Sequence, residues 1–262
     1  MSGCRILLGL LVTSLLNGCA ISFSDFNQPL RTSRMHRPEV HAEPLHFQAD
    51  IIIAHANTLS FENLYDSTTR TMTLSPLENS TFEDYSEPFR LSLVVLPQTE
   101  LFYHTEGVGI KHQIQGQSAD SATAGNRSVA LTALVNYVSD KRNICADSLW
   151  GSGCSDPFLL DMTLLTVDVG VVWGYRIDDN LMLYGGPYLA HHTVEGDFTQ
   201  TNTGTRYSYQ GEGSEVGLSG AIEYQWQSGI GMTFETVFHH FKWDLSPSEN
   251  TVFYGLSLFY RY

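Results

Sequence analysis

The stretch Thr251–Tyr262, TVFYGLSLFYRY, ends the chain and decides how the rest of it is read. Val252, Tyr254, Leu256, Leu258, Tyr260 and Tyr262 fall on one parity, so an extended chain carries them all on one face. The segment ends on an aromatic residue, with apolar residues at every second position before it.

The same period recurs upstream. Between Ser214 and Trp226 one face carries Val216, Leu218, Ile222, Tyr224 and Trp226, and the other carries Glu215, Gly217, Ser219, Ala221, Glu223 and Gln225. After Gln227-Ser228-Gly229 come Ile230, Met232, Phe234 and Phe238, opposite Gly231, Thr233, Glu235 and His239. Residues 165–176 set Leu165, Val167, Val169, Val171, Trp173 and Tyr175 against Thr166, Asp168, Gly170, Gly174 and Arg176. A soluble sandwich also alternates, so the nature of the two faces has to decide. Here the polar face is Gly, Ser and Thr with isolated charges, and Trp173, Tyr175, Tyr184, Tyr188, Tyr224, Trp226 and Trp243 fall near strand ends. That arrangement predicts a membrane barrel with an apolar exterior, aromatic girdles and a narrow polar lumen.

Composition agrees. The chain has 262 residues, 14 Lys+Arg against 28 Asp+Glu, and a formal net charge of -14, which argues against a nucleic-acid partner. A mean hydropathy of -0.11 hides the membrane character, because each strand is only half apolar.

The terminal segment resembles the C-terminal strand of bacterial outer-membrane β-barrels. The resemblance implies that Tyr254, Leu256, Leu258, Tyr260 and Tyr262 form the signal read by the barrel-assembly machinery. The fold expected over residues 46–262 is an all-β, antiparallel transmembrane barrel similar to the OmpA-type or solitary autotransporter-like small barrels. Candidate strands are 46–58, 87–96, 99–112, 128–138, 160–176, 180–195, 212–226, 229–243 and 251–262. That count is odd, whereas single-chain bacterial barrels use even numbers. Reading 128–138 as a helix, with Leu131, Leu134, Val135 and Val138 at helical spacing, gives the favoured eight strands. Adding 68–75 as a strand gives ten.

At the other end, residues 1–20 read MSGCRILLGLLVTSLLNGCA, with an apolar run too short to span a bilayer. Leu16, Gly18 and Cys19 resemble the lipobox of bacterial lipoproteins. The resemblance implies removal of 1–18, lipidation of Cys19 and delivery to the outer membrane of a Gram-negative bacterium. Losing 1–18 removes Arg5 as its one charge, leaving 13 positive and 28 negative side chains. Residues 19–45, with three prolines and no periodicity, read as the lipidated cysteine and a flexible tether. Cys145 and Cys154 remain as a pair that an oxidising compartment would close as a disulfide.

Candidate chemistry lies on the inward face. Asp168, Arg176, Glu215, Glu223, Glu235 and Arg261, with Arg90, would share a lumen too small for free water and must pair or shift their protonation. A three-residue turn sets Glu223 opposite Thr233 and diagonal to Glu235. The expected outcome is a salt-bridged, largely closed lumen, with a gated constriction as the alternative. One member each of His191-His192 and His239-His240 faces inward, but no metal, cofactor or catalytic group is expected. No Gly-x-Ser-x-Gly or His-Glu-x-x-His motif occurs, and His191-His192-Thr193 lacks a serine nucleophile. The function expected is a structural or surface-binding barrel lipoprotein, in contact with outer-membrane lipid and lipopolysaccharide and with an unidentified surface ligand. A narrow channel and a lipid-modifying hydrolase are the alternatives.

Overall fold

The structure, a computed structural model, describes residues 20–30, 36–66, 71–76, 83–104, 107–145, 157–244 and 246–261. Its strands are β1 (Ala20–Leu30), β2 (Phe47–Asp66), β3 (Thr71–Pro76), β4 (Glu83–Leu96), β5 (Thr99–His104), β6 (Gly107–Gln115), β7 (Arg127–Cys145), β8 (Pro157–Arg176), β9 (Leu181–Gln200), β10 (Arg206–Gln225), β11 (Ile230–Trp243) and β12 (Ser246–Arg261). From β4 to β12 each strand pairs antiparallel with the next. β2 then joins the two ends, pairing Ile51 with Leu258 of β12 and Ala49 with Leu91 of β4. The result is a closed ring of ten strands, β2 and β4–β12, with β1 and β3 paired only to the far half of β2.

Ten strands arise by a route the sequence reading did not take. Residues 99–112 are not one strand but the hairpin β5/β6, which restores an even number. Its cause is a slip of phase: Leu101 and Tyr103 face outward on odd positions, Val108 and Ile110 on even ones. Residues 128–138 are not a helix but part of β7, because both edges of that stretch are taken by β6 and β8. The 68–75 candidate corresponds to β3, which stays off the ring.

Turns 97–98, 116–126, 177–180 and 227–229 lie at one mouth of the ring, beside the start of β2 and the end of β12. Local chemistry sets them. Gly229 takes φ +83, a conformation glycine adopts without a Cβ penalty, and the Trp226 N–H donates to the Ile230 carbonyl at 2.8 Å. This three-residue turn fixes the register that puts Glu223 opposite Thr233 and Ala221 opposite Glu235.

The two faces of the wall invert the arrangement of a soluble protein. Leu165, Val167, Val169, Trp173 and Tyr175 are exposed on the outside of β8, while Asp168 and Arg176 are buried inside it. The same holds for Ile230, Met232, Phe234 and Phe238 against Thr233, Glu235 and His239 of β11. From Leu165 to Tyr175 the outward apolar stripe runs roughly 34 Å along the strand, or about 26 Å at the usual barrel tilt. That is the height of a membrane-facing band.

Toward the far mouth the faces exchange character. Phe158, Leu160, Met162 and Leu164 of β8, Val194 and Phe198 of β9, and Phe241 and Trp243 of β11 are buried on the inner face. On the outer face, Lys141 meets Asp161 at 2.8 Å, and Arg206 and Ser208 both donate to Asp197. The switch between Leu165 and Thr163 marks where the outside changes from an apolar to an aqueous surface.

Candidate functional site: a closed lumen

The lumen is filled from both sides of the wall and along its axis. Glycines on neighbouring strands let large inward side chains lie flat. A methyl built on Gly217 would sit 2.4 Å from Tyr188 Cζ, and one on Gly213 would sit 1.9 Å from the Trp243 ring. Tyr184, Tyr188 and Trp243, expected in the girdles, are therefore inward and buried. Trp173, Tyr175, Tyr224 and Trp226 are exposed near the short-turn mouth, where a girdle was expected.

Between these rings runs a ladder of buried charges. Asp50 of β2 accepts from Arg90 Nε at 3.0 Å, and Lys111 meets Glu100 at 2.9 Å across the β5/β6 hairpin. Arg261 of β12 donates to both oxygens of Glu223, at 2.6 and 2.7 Å, and also to Gln48 at 2.6 Å. Glu215 of β10 accepts from Tyr188 Oη at 2.5 Å and is bonded to His239 Nδ1 at 2.7 Å, while His192 Nε2 stands 3.4 Å away without a hydrogen bond. The inward histidines of β9 and β11 thus both lie against the carboxylate of the strand between them, His239 hydrogen-bonded to it and His192 near it. Asp168 and Glu235 are buried on the same inner face, so all six expected lumen charges, with Arg90, point inward. A cavity of about 20 Å³ remains, lined by His36, Phe102, Asn136, Asp168, His192 and Glu215 among others. That is room for about one water molecule.

The axis is occupied by the chain itself. Of the stretch expected to be a loose tether, 20–30 is strand β1, and His36, Arg37, Pro38, Glu39 and Val40 are buried in the lumen. Pro38 packs on Gly174 of β8, where a Cβ would meet its ring at 2.6 Å. Glu39, fully buried, accepts from Arg176 Nε at 3.2 Å, from Arg176 Nη2 and from Asn126 Nδ2 at 2.7 Å. Val40 N–H donates to Gln113 Oε1 at 2.7 Å, and Arg37 lies 3.9 Å from Glu223. The segment had no readable periodicity because wall residues surround it on every side. Arg176 and Glu223 were legible as inward charges, but that their partners include the tether was not.

At the short-turn mouth the segment turns over. Asp120, in the 116–126 turn, accepts from His41 Nδ1 and, at 2.8 Å, from the Ala42 N–H. The rings of His41 and His46 stack at 4.0 Å, and His46 Nε2 lies 3.8 Å from Asp120. Burial, and then the positive charge of Arg37, push the His41 imidazole down to about 4 against the pull of Asp120. Burial pulls the Asp120 carboxyl upward, but its bonds from His41 and Ala42 outweigh that and hold it below the ordinary value.

Cys19, Cys154 and Tyr262 lie outside the described residues, as does the side chain of Cys145. Tyr254, Leu256, Leu258 and Tyr260 project outward from β12, and the remaining contacts of that strand are those of an ordinary ring member.

No family profile matches the chain, and no curated protein does. Among solved structures, the attachment invasion locus protein Ail of Yersinia pestis aligns over 84% of this chain and 98% of its own, with 8% identity and a TM-score of 0.34. The Pseudomonas aeruginosa protein OccK2, in complex with glucuronate, aligns over 85% of this chain and 99% of its own, with 10% identity and a TM-score of 0.19. At such TM-scores the alignments add nothing to the architecture that the strand pairing itself defines.

Proposed function

We propose that the chain is an outer-membrane β-barrel protein that acts as a structural or surface-binding element, its lumen held shut by its own N-terminal segment. The observation that carries this reading is the burial of residues 36–40 inside the ring, with Glu39 bound to Arg176 of the wall. The apolar exterior supports a membrane setting, since a closed barrel leaves no backbone edge for lipid to solvate. A porin requires an open aqueous path, whereas among the described residues the cavity beside Asp168, His192 and Glu215 measures about 20 Å³. The test is single-channel recording on the full chain in planar bilayers. No steady conductance is expected, and a stable ohmic channel in the wild-type protein overturns the closed-lumen reading.

A lipid anchor at Cys19 and a Cys145–Cys154 disulfide belong to the same proposal. Fatty-acid labelling should be lost in Cys19→Ala, and labelling that persists there overturns the anchor. The disulfide should give a mobility shift between reduced and non-reduced protein that Cys154→Ser abolishes. Exposed carboxylates such as Glu195 and Glu212 on the outer face toward the far mouth suit bridging by divalent cations to lipopolysaccharide. Removal of divalent cations should then release added lipopolysaccharide from the purified barrel.

A further inference from the structure

We propose that His41, His46 and Asp120 form a binding site for a divalent late transition metal, Zn²⁺ above all, that fastens the lumen segment to the 116–126 turn. One donor atom from each of His41, His46 and Asp120 lies within 4.8 Å of the other two, and His41 Nδ1 and His46 Nε2 both approach Asp120 Oδ1. Two imidazoles and a carboxylate are a ligand set that zinc takes with one position left for water, at bond lengths of about 2.0–2.2 Å. Ligand atoms around such an ion stand about 3.4 Å apart, so the 3.8 Å between His46 and Asp120 has to close slightly while the hydrogen-bonded His41 and Asp120 move apart. The side chains of His41 and Asp120 are 22% and 33% exposed, which leaves an entry path from the mouth.

A supporting shell is already in place. Asp120 Oδ2 is held by the Ala42 N–H at 2.8 Å, which aims Oδ1 at the two imidazoles. The Gln98 N–H donates to the His41 carbonyl at 3.2 Å, and the Ala119 N–H to the Val40 carbonyl at 3.0 Å. Those bonds fix both backbones that carry the ligands. Metal would replace the His41–Asp120 hydrogen bond and move the imidazole proton of His41 to Nε2. The 3.4 Å contact between Arg37 and His41 Nε2 is then lost, because two donors cannot face each other. The parallel stack of the two rings, 8° apart, must open as well, since a ligated ion lies in the plane of each imidazole.

The site itself stands on these residues alone, while its effect on the lumen segment rests on the closed-lumen reading. The experiment is a titration of the untagged, folded full chain in detergent with Zn²⁺ against a chromophoric chelator, repeated with Co²⁺ to read its d–d absorption. One ion per chain is expected, with affinity lowered at least about tenfold in His41→Ala, His46→Ala and Asp120→Asn, and unchanged in His191→Ala and His240→Ala. The Co²⁺ spectrum should collapse in the first three variants while their heat-modifiable gel mobility persists, which separates loss of ligand from loss of fold. Binding that survives His41→Ala and His46→Ala together, or no binding by a wild-type chain that keeps its heat-modifiable mobility, overturns the site. A chain that binds Zn²⁺ yet conducts steadily overturns the closed lumen and leaves the metal site standing.

Discussion

Glu39 and Arg176 meet inside the barrel across 137 positions of sequence, one on the segment that runs through the lumen and the other on its wall. Their contact is the point at which the filling and the container depend on each other. Removing one partner of a buried ion pair leaves the other charge desolvated and uncompensated, at a cost of about 3–5 kcal/mol. Glu39→Ala should therefore destabilise the barrel by that amount, read as a lower urea midpoint for loss of the heat-modifiable gel form. The paired change Glu39→Gln with Arg176→Met should recover much of it. Equal loss in single and double variants would show that the contact has no such role.

Glu223 binds Arg261 through both oxygens, and Arg37 of the lumen segment is also close. Glu223→Gln keeps the shape and removes the charge that holds two guanidinium groups together. The expected result is a barrel that folds and remains non-conducting but unfolds at lower urea. A variant with steady conductance would instead identify Glu223 as the element of a gate.

Tyr188 lies over Gly217 and donates to Glu215 at 2.5 Å. Tyr188→Phe deletes one hydrogen bond to a charged acceptor, worth about 1.5–3 kcal/mol, without moving the ring. Gly217→Ala does the opposite, leaving the hydroxyl in place but pushing the ring away, at about 1–3 kcal/mol of overpacking. Thermal melts of the two variants should show comparable losses. A neutral Gly217→Ala would mean that the ring has another resting place.

The exchange of faces between Thr163 and Leu165 carries its own test. Val169→Arg puts a cation in the middle of the outward apolar stripe and should cost about 2–4 kcal/mol in a bilayer, whereas Thr163→Lys at its border should cost about 0–1 kcal/mol. Reversible folding into lipid vesicles measures both. Similar penalties at the two positions would remove the membrane boundary from between them.

How far the sequence carried depended on how many neighbours each residue answers to. On β8, β10, β11 and β12 each side chain faces either outward or into the lumen, so period two reads directly, and Asp168, Glu215, Glu223, Glu235 and Arg261 are buried on the inner face. The β5/β6 hairpin was written in the chain as well, as the slip of phase from Tyr103 to Val108 across His104-Thr105-Glu106-Gly107, but its one glycine is followed closely by Gly109 inside the next strand and did not stand out as a turn. Leu131, Leu134 and Val135 sit at helical spacing by chance, and pairing with β6 and β8 overrode it. Tyr184, Tyr188 and Trp243 were misplaced because an aromatic residue suits a girdle and a glycine-lined lumen equally well. Residues 36–40 and the meeting of His41, His46 and Asp120 were beyond reach. Their partners across the barrel lie from 54 positions away, for His36 and Arg90, to 186, for Arg37 and Glu223, and nothing local encodes them.

The path of the segment before β2 constrains how the protein is built. Leu30 pairs with Asn57, beyond the last rung that β2 shares with β12 at Ala54, whereas His41 lies at the opposite mouth, bonded to the turn that holds Asp120. The stretch between them includes the residues buried within the ring. With β1 held in its pairing at the far side, residues 36–40 could not be drawn in once the wall had closed. If β1 pairs first, the seam of β2 against β4 and β12 has to close around residues 36–40 already in place.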